Sequence, residues 1–139
     1  MRALGIDFGE RRIGLALSDP EGRLAVPFGI IERQTDRRAV YQIVELTRRE
    51  EVQVLVVGEP LDLEGRASEA TERVRRFGRK LERATGLPIC WVDEALTTVA
   101  AGERLAEIGS DDHGKAGRRD AVAAQILLQE ALERGLEVS

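Results

Sequence analysis

The chain has one cysteine, Cys90, so no internal disulfide can form. That scarcity fits a reducing, cytoplasmic setting. It has one histidine, His113, which excludes a histidine-rich zinc site. Lysine is nearly absent: of 21 basic residues, 19 are arginine. No long apolar stretch occurs; the run Val54–Val57 falls far short of a membrane span. Asp7 arrives before any signal-like apolar region could form, so neither a secretory signal nor a membrane partner is expected. The glycines Gly5, Gly9 and Gly14 do not have the Gly-x-Gly-x-x-Gly spacing of a dinucleotide loop.

What is present describes a globular domain. Its 139 residues are 42% hydrophobic and 33% charged, long enough to bury roughly 70% of the unfolded surface. We expect one domain over residues 1–139, since no linker, repeat or low-complexity tract interrupts it. A net charge of −4 argues on its face against nucleic acid. The arginines cluster, however, at Arg11-Arg12, Arg37-Arg38, Arg48-Arg49, Arg73 to Arg83 and Arg118-Arg119. Arginine suits phosphate because its planar fork donates two parallel hydrogen bonds. The plainer reading of any one pair is a solvated helix face.

The first stretch, Ala3 to Asp19, organises the rest. Leu4, Ile6 and Phe8 alternate with other residues at period two, as do Ile13, Leu15 and Leu17. That spacing predicts two strands joined by the short turn Gly9–Arg12. Leu24–Glu32 predicts a third, with Pro27 marking an edge. A helix is expected over Arg37–Glu50 with Asp36 as its cap, then a doubly buried strand over Val52–Val57. Ser68 caps a helix to Thr85, Gly86 ends it, and Ile89–Val92 is the fifth strand. Two further helices are expected, from Thr97 or Thr98 to near Gly109 and from Arg118 to Arg134. The late strands arrive through helical crossovers, which require parallel pairing. The expected architecture is therefore α/β, a mixed five-stranded sheet flanked by helices.

Asp7 is out of place in an apolar strand, because a buried carboxylate is costly unless something pairs with it. Glu94, with Asp93, closes the fifth strand. Asp120 opens the last helix on the apolar line of Ala124, Leu127, Leu128 and Ala131, so it points inward. Glu59 closes the fourth strand. Sites in such sheets form at the carboxyl ends of the parallel strands. Crowded carboxylates repel, and a hard divalent cation relieves them. Two such ions about 4 Å apart can drive an in-line displacement at phosphorus. Each acid also has a plainer reading: a turn partner for Asp7, a strand-end charge for Glu94, a helix-dipole partner for Asp120, and a solvated loop residue for Glu59.

Taken in order, Gly5-Ile6-Asp7-Phe8-Gly9, Arg12-Ile13-Gly14, Ser18-Asp19, Val57-Gly58-x-Pro60-Leu61, Asp93-Glu94-x-Leu96-Thr97-Thr98 and Asp120-Ala121-x-Ala123-Ala124 resemble the motifs of a known family. It is the YqgF-type family of Holliday-junction resolvases, also described as pre-16S rRNA nucleases, and the resemblance covers essentially the whole chain. It implies a ribonuclease H-like fold with sheet order 3-2-1-4-5 and strand 2 antiparallel. It implies a metal-dependent nuclease using Asp7, Glu94 and Asp120 with Mg²⁺ or Mn²⁺, acting in 5′-end maturation of 16S rRNA precursor. Junction resolution in DNA recombination is the alternative substrate. Departures are Glu59 where the family has Leu, Ala95 where it has Arg, and Ala116-Gly117-Arg118 where it has a Lys-Gly-Lys-like entry.

On this reading Glu59 is a further candidate for the metal site. Arg12, Lys115, Arg118 and Arg119 are candidates for the nucleic-acid backbone. The expected partners are precursor rRNA or branched DNA, with the ribosome as a further candidate, and the expected state is a monomer or weak homodimer. A protein that binds RNA or the ribosome without cleaving it is the reading from another class. An actin-like ATP switch is disfavoured, since the chain has one copy of the strand motif and no room for a second lobe.

Overall fold

The computed structural model describes residues 1–94 and 115–136, with side chains from residue 119 onward in the second stretch. The expected helix between Thr97 and Gly109, and with it Ala95 and His113, lies outside the described residues.

Five strands form one sheet: β1 (Ala3–Phe8), β2 (Arg12–Ser18), β3 (Ala25–Glu32), β4 (Val54–Glu59) and β5 (Ile89–Asp93). Their order is β3-β2-β1-β4-β5. β1, β2 and β3 pair antiparallel, and β4 joins β1 and β5 in parallel. This is the expected order, and it puts β1 in the centre. The helices are α1 (Asp36–Arg49), α2 (Glu69–Thr85) and α3 (Lys115–Glu133). None of the described helices is long and apolar enough to cross a membrane.

Period-two alternation splits the core into two layers. Leu4 and Ile6 of β1, Ile13, Leu15 and Leu17 of β2, Leu55 and Val57 of β4, and Ile89 of β5 pack under α1 and α2. Ala3, Ala16, Val54, Val56, Cys90 and Val92 face the other way, against Ala124, Leu127, Leu128 and Ala131 of α3. The α3 layer is the tighter one. A Cβ on Gly5 would come within 2.8 Å of the Leu128 side chain, and one on Gly14 within 1.9 Å of the Asp120 carbonyl oxygen. Glycine at these two positions lets the helix lie on the sheet. At its far side α3 is fastened to the edge strand: Gln129 accepts from the Ala25 amide at 2.8 Å, and Gln125 donates to the Ala25 carbonyl at 3.1 Å.

Three local expectations shift. The cap of α1 is Thr35, whose hydroxyl accepts from the Arg38 amide, and Asp36 is the first helical residue. The Asp36 carboxylate instead takes Arg33 and Lys80. The fourth strand starts at Val54 rather than Val52, because the Val52 amide donates to the Thr47 carbonyl as α1 ends. It then runs on through Gly58 and Glu59, which pair with Val92 and Asp93. Ser68 and Gly86 bound α2 as expected, with a capping box at Ser68 and left-handed backbone at Gly86.

Candidate active site

β1 places Ala3, Gly5 and Asp7 on the α3 side of the sheet, so Asp7 sits at the carboxyl end of the central strand, facing that helix. The strand end is held by its neighbour. Phe8 points to the opposite face, stacks on Phe77 with ring centroids 4.3 Å apart, and lies under the Arg33 guanidinium at 4.6 Å. Across the hairpin Asp7 is paired with Gly14. The helix starts at Lys115, ahead of the expected Arg118, and the missing side chain at Gly14 makes room for the backbone of Asp120 in its second turn.

Glu94 follows β5 with the parity of Cys90 and Val92, so it comes to the same face. Its side chain lies over Gly58, whose Cβ, if present, would be 3.7 Å away. Asp7 and Glu94 share a hydrogen bond. The Asp7 carboxyl is pushed up to about 9, first by burial, then by the hydrogen bond to Glu94 and by the charges of Glu94 and Asp120. Burial and these neighbours therefore favour the protonated form of Asp7.

Asp120 is engaged by Arg12. Its Oδ2 accepts from Arg12 Nε at 2.8 Å, an ion pair between side chains about a third exposed (33% and 31%). Among the described residues no three acidic, imidazole or thiol groups enclose a metal site as they stand. Asp7, Glu94 and Asp120 are nonetheless hard oxygen donors at one end of the sheet, and the charges of Glu94 and Asp120 both reach Asp7. That donor chemistry fits a divalent cation such as Mg²⁺ or Mn²⁺.

The remaining candidates separate. Glu59 has the parity of Leu55 and Val57, so it projects to the opposite face, where its Oε2 takes Arg75 Nε of α2 at 2.6 Å. The expectation that Glu59 approaches the metal site is thus corrected: strand alternation sends it through the sheet. Arg12, a candidate for the nucleic-acid backbone, is tied to Asp120 through Nε. Arg119 is exposed. Lys115 and Arg118 lie in the first turn of α3, but their side chains are outside the described residues. Sequence reasoning missed the Arg12–Asp120 pair and the roles of Gly14 and Gly58. The signal was present in part, since period two puts Arg12, Gly14 and Asp7 on one face of the hairpin.

A mixed sheet in this order, with acids at the carboxyl end of its central strand, defines a ribonuclease H-like α/β domain. Known structures agree on that fold. RuvC of Thermus thermophilus bound to a Holliday junction superposes with a TM-score of 0.65 at 17% identity, covering 100% of this chain and 99% of that one. The fowlpox virus resolvase bound to Holliday junction DNA superposes with a TM-score of 0.60 at 10% identity, covering 99% of this chain and 100% of that one. Residues 1–134 match the family described as RuvX, Holliday junction resolvase, and the chain belongs to it. A relative from Maridesulfovibrio salexigens is 40% identical over 96% of this chain and 99% of its own length. One from Syntrophus aciditrophicus is 41% identical over 96% of this chain and 89% of its own. Both carry the name "Putative pre-16S rRNA nuclease".

Proposed function

We propose that this protein is a divalent-metal-dependent endonuclease that hydrolyses phosphodiester bonds, with the 5′ end of 16S rRNA precursor as its substrate. The observation that carries the reading is the crowding of Asp7 by Glu94 and Asp120 at the end of the central strand. Membership of a nuclease family and the names of its relatives support it.

Asp7, Glu94 and Asp120 would hold the cation, which supplies Lewis-acid polarisation of the phosphodiester when bound. The chain's own residues do the rest. Asp7, whose proton is favoured by burial and by the neighbouring acids, would have to release it to hold a cation, whose charge would offset the repulsion from Glu94 and Asp120. Glu94, seated over Gly58 of β4, reaches the central strand and shares a hydrogen bond with Asp7. Arg119 is exposed one residue before Asp120 and is available to the nucleic-acid backbone.

The test is cleavage of labelled precursor rRNA and a labelled four-way DNA junction side by side, in Mg²⁺, Mn²⁺ or EDTA. We expect cleavage of the rRNA that EDTA stops and that Asp7→Asn abolishes. Equal cleavage in EDTA would overturn the metal reading. Cleavage of the junction alone selects the second reading, DNA junction resolution, which the family description favours. Binding without cleavage, unaffected by Asp7→Asn, selects a non-catalytic RNA-binding protein.

A further inference from the structure

Arg12 and Asp120 stand 108 residues apart in sequence and meet at the edge of the acidic site. Only one edge of the guanidinium is used. Nε donates to Asp120 Oδ2 at 2.8 Å, and the two terminal nitrogens have no side-chain partner among the described residues. Arg12 is about a third exposed, so those nitrogens are accessible to a solute. Gly14, two residues on along the same face, brings the Asp120 backbone against β2 and so fixes the pair's position. One cation therefore sits between two competing anions: the carboxylate it holds and any phosphate that reaches its open edge. Phosphate is the stronger claimant for a planar fork, because it can accept two parallel hydrogen bonds.

We propose that Arg12 is a positioning residue that couples nucleic-acid binding to metal binding. Without nucleic acid it holds Asp120 away from Asp7 and Glu94. A backbone phosphate that takes the guanidinium releases the Asp120 carboxylate to complete the metal site. The exchange is an ion-pair swap: one Arg–carboxylate contact breaks, one Arg–phosphate contact forms, and no bond is made or cleaved. The inference rests on the assignment of Asp7, Glu94 and Asp120 as metal ligands. It accounts for a feature that assignment leaves open, namely that three acids at one strand end do not enclose a site as they stand. It predicts that metal and nucleic acid bind with positive cooperativity, and that by linkage each strengthens the other by the same factor.

The probe is Mn²⁺, titrated calorimetrically into the full chain with and without a short 2′-O-methyl RNA that resists hydrolysis. In the unmodified protein the RNA should raise Mn²⁺ affinity. In Arg12→Gln, with no RNA present, Mn²⁺ should bind about two- to fivefold more tightly than in the unmodified protein, the range expected for losing a partly exposed ion pair. RNA should then add little. Arg12→Lys keeps a cation on the same strand and should restore part of the coupling, which a merely misfolded variant would not do. In EDTA, Asp120→Asn should bind the RNA more tightly than the unmodified protein, and Arg12→Gln in that background should remove the gain. Mn²⁺ binding that Asp7→Asn leaves untouched overturns the ligand assignment and the coupling with it. Mn²⁺ binding that Asp7→Asn abolishes, with Arg12→Gln showing unmodified affinity and full RNA dependence, overturns the coupling alone.

Discussion

Asp7 is a residue whose surroundings oppose its charge. Its carboxyl is pushed up from an ordinary value of 3.8 to about 9 in the fold, with burial as the main cause and Glu94 next. A raised acid has a definite effect on stability. Between those two values the folded chain keeps a proton that the unfolded chain has lost. Stability therefore falls as pH rises through that window, and the contribution of Asp7 is fully present only below about pH 4. In EDTA the melting temperature of the unmodified protein should decline from pH 5 to pH 8 more steeply than that of Asp7→Asn. The variant should be the more stable of the two at pH 8 while lacking cleavage. A variant with the same pH slope as the unmodified protein would show that Asp7 is not the buried proton. Mg²⁺ should raise the melting temperature of the unmodified protein at pH 8 and leave Asp7→Asn unchanged, because a ligand stabilises only the state that binds it.

At the level of elements, strand parity sorts the acids. Glu59 and Glu94 both follow runs of apolar residues at the carboxyl ends of neighbouring parallel strands. The even positions of β4 and β5 face α3, and the odd ones face α1 and α2. Glu59 is odd and meets Arg75, whereas Glu94 is even and meets Asp7. Glu59→Gln should therefore leave Mn²⁺ affinity and cleavage rate within about twofold. Loss of the pair with Arg75, read by urea denaturation, should lower stability only slightly, because the pair is partly open to solvent. A tenfold loss of metal affinity would return Glu59 to the site. The approach of α3 to β2 gives the converse case. Gly14→Ala puts a methyl group where the Asp120 carbonyl lies. The start of α3 must move, at about 1–3 kcal/mol for overpacking of this kind. Metal affinity should fall with it, although Gly14 carries no side chain to bind anything.

The whole molecule is a sheet with unlike faces. One carries the larger core, with Phe77, Leu81, Ile43 and Leu4 fully buried; the other is a thin layer of small residues that lets α3 lie close. Phe77→Ala should destabilise the domain by about 3–5 kcal/mol, as deletion of a buried aromatic does. It should also loosen the end of β1, through the lost stack on Phe8. Electrostatically the molecule carries a net charge of −4 yet groups its arginines. Nucleic-acid affinity should fall steeply with salt, because the contacts are local phosphate pairs that release counterions. A flat salt dependence would mean that the arginine clusters do not touch the backbone.

The sequence by itself determined the five strands and α2, and it singled out Asp7 as a carboxylate in an apolar strand. Alternation marked the strands, Ser68 and Gly86 bounded α2, and the crossovers dictated parallel pairing of the late strands, because these signals act within a few residues of where they are written. The ordered motifs also carried the family. Tertiary structure decided which acids share a face with Asp7. It sent Glu59 through the sheet to Arg75, because alternation fixes a residue's side only once the strand's register against β5 is known. It also closed Arg12 on Asp120 across 108 residues. No local pattern records that contact: it exists only because Gly14 lets the first turns of α3 descend onto β2 beside the carboxylate at the centre of the sheet.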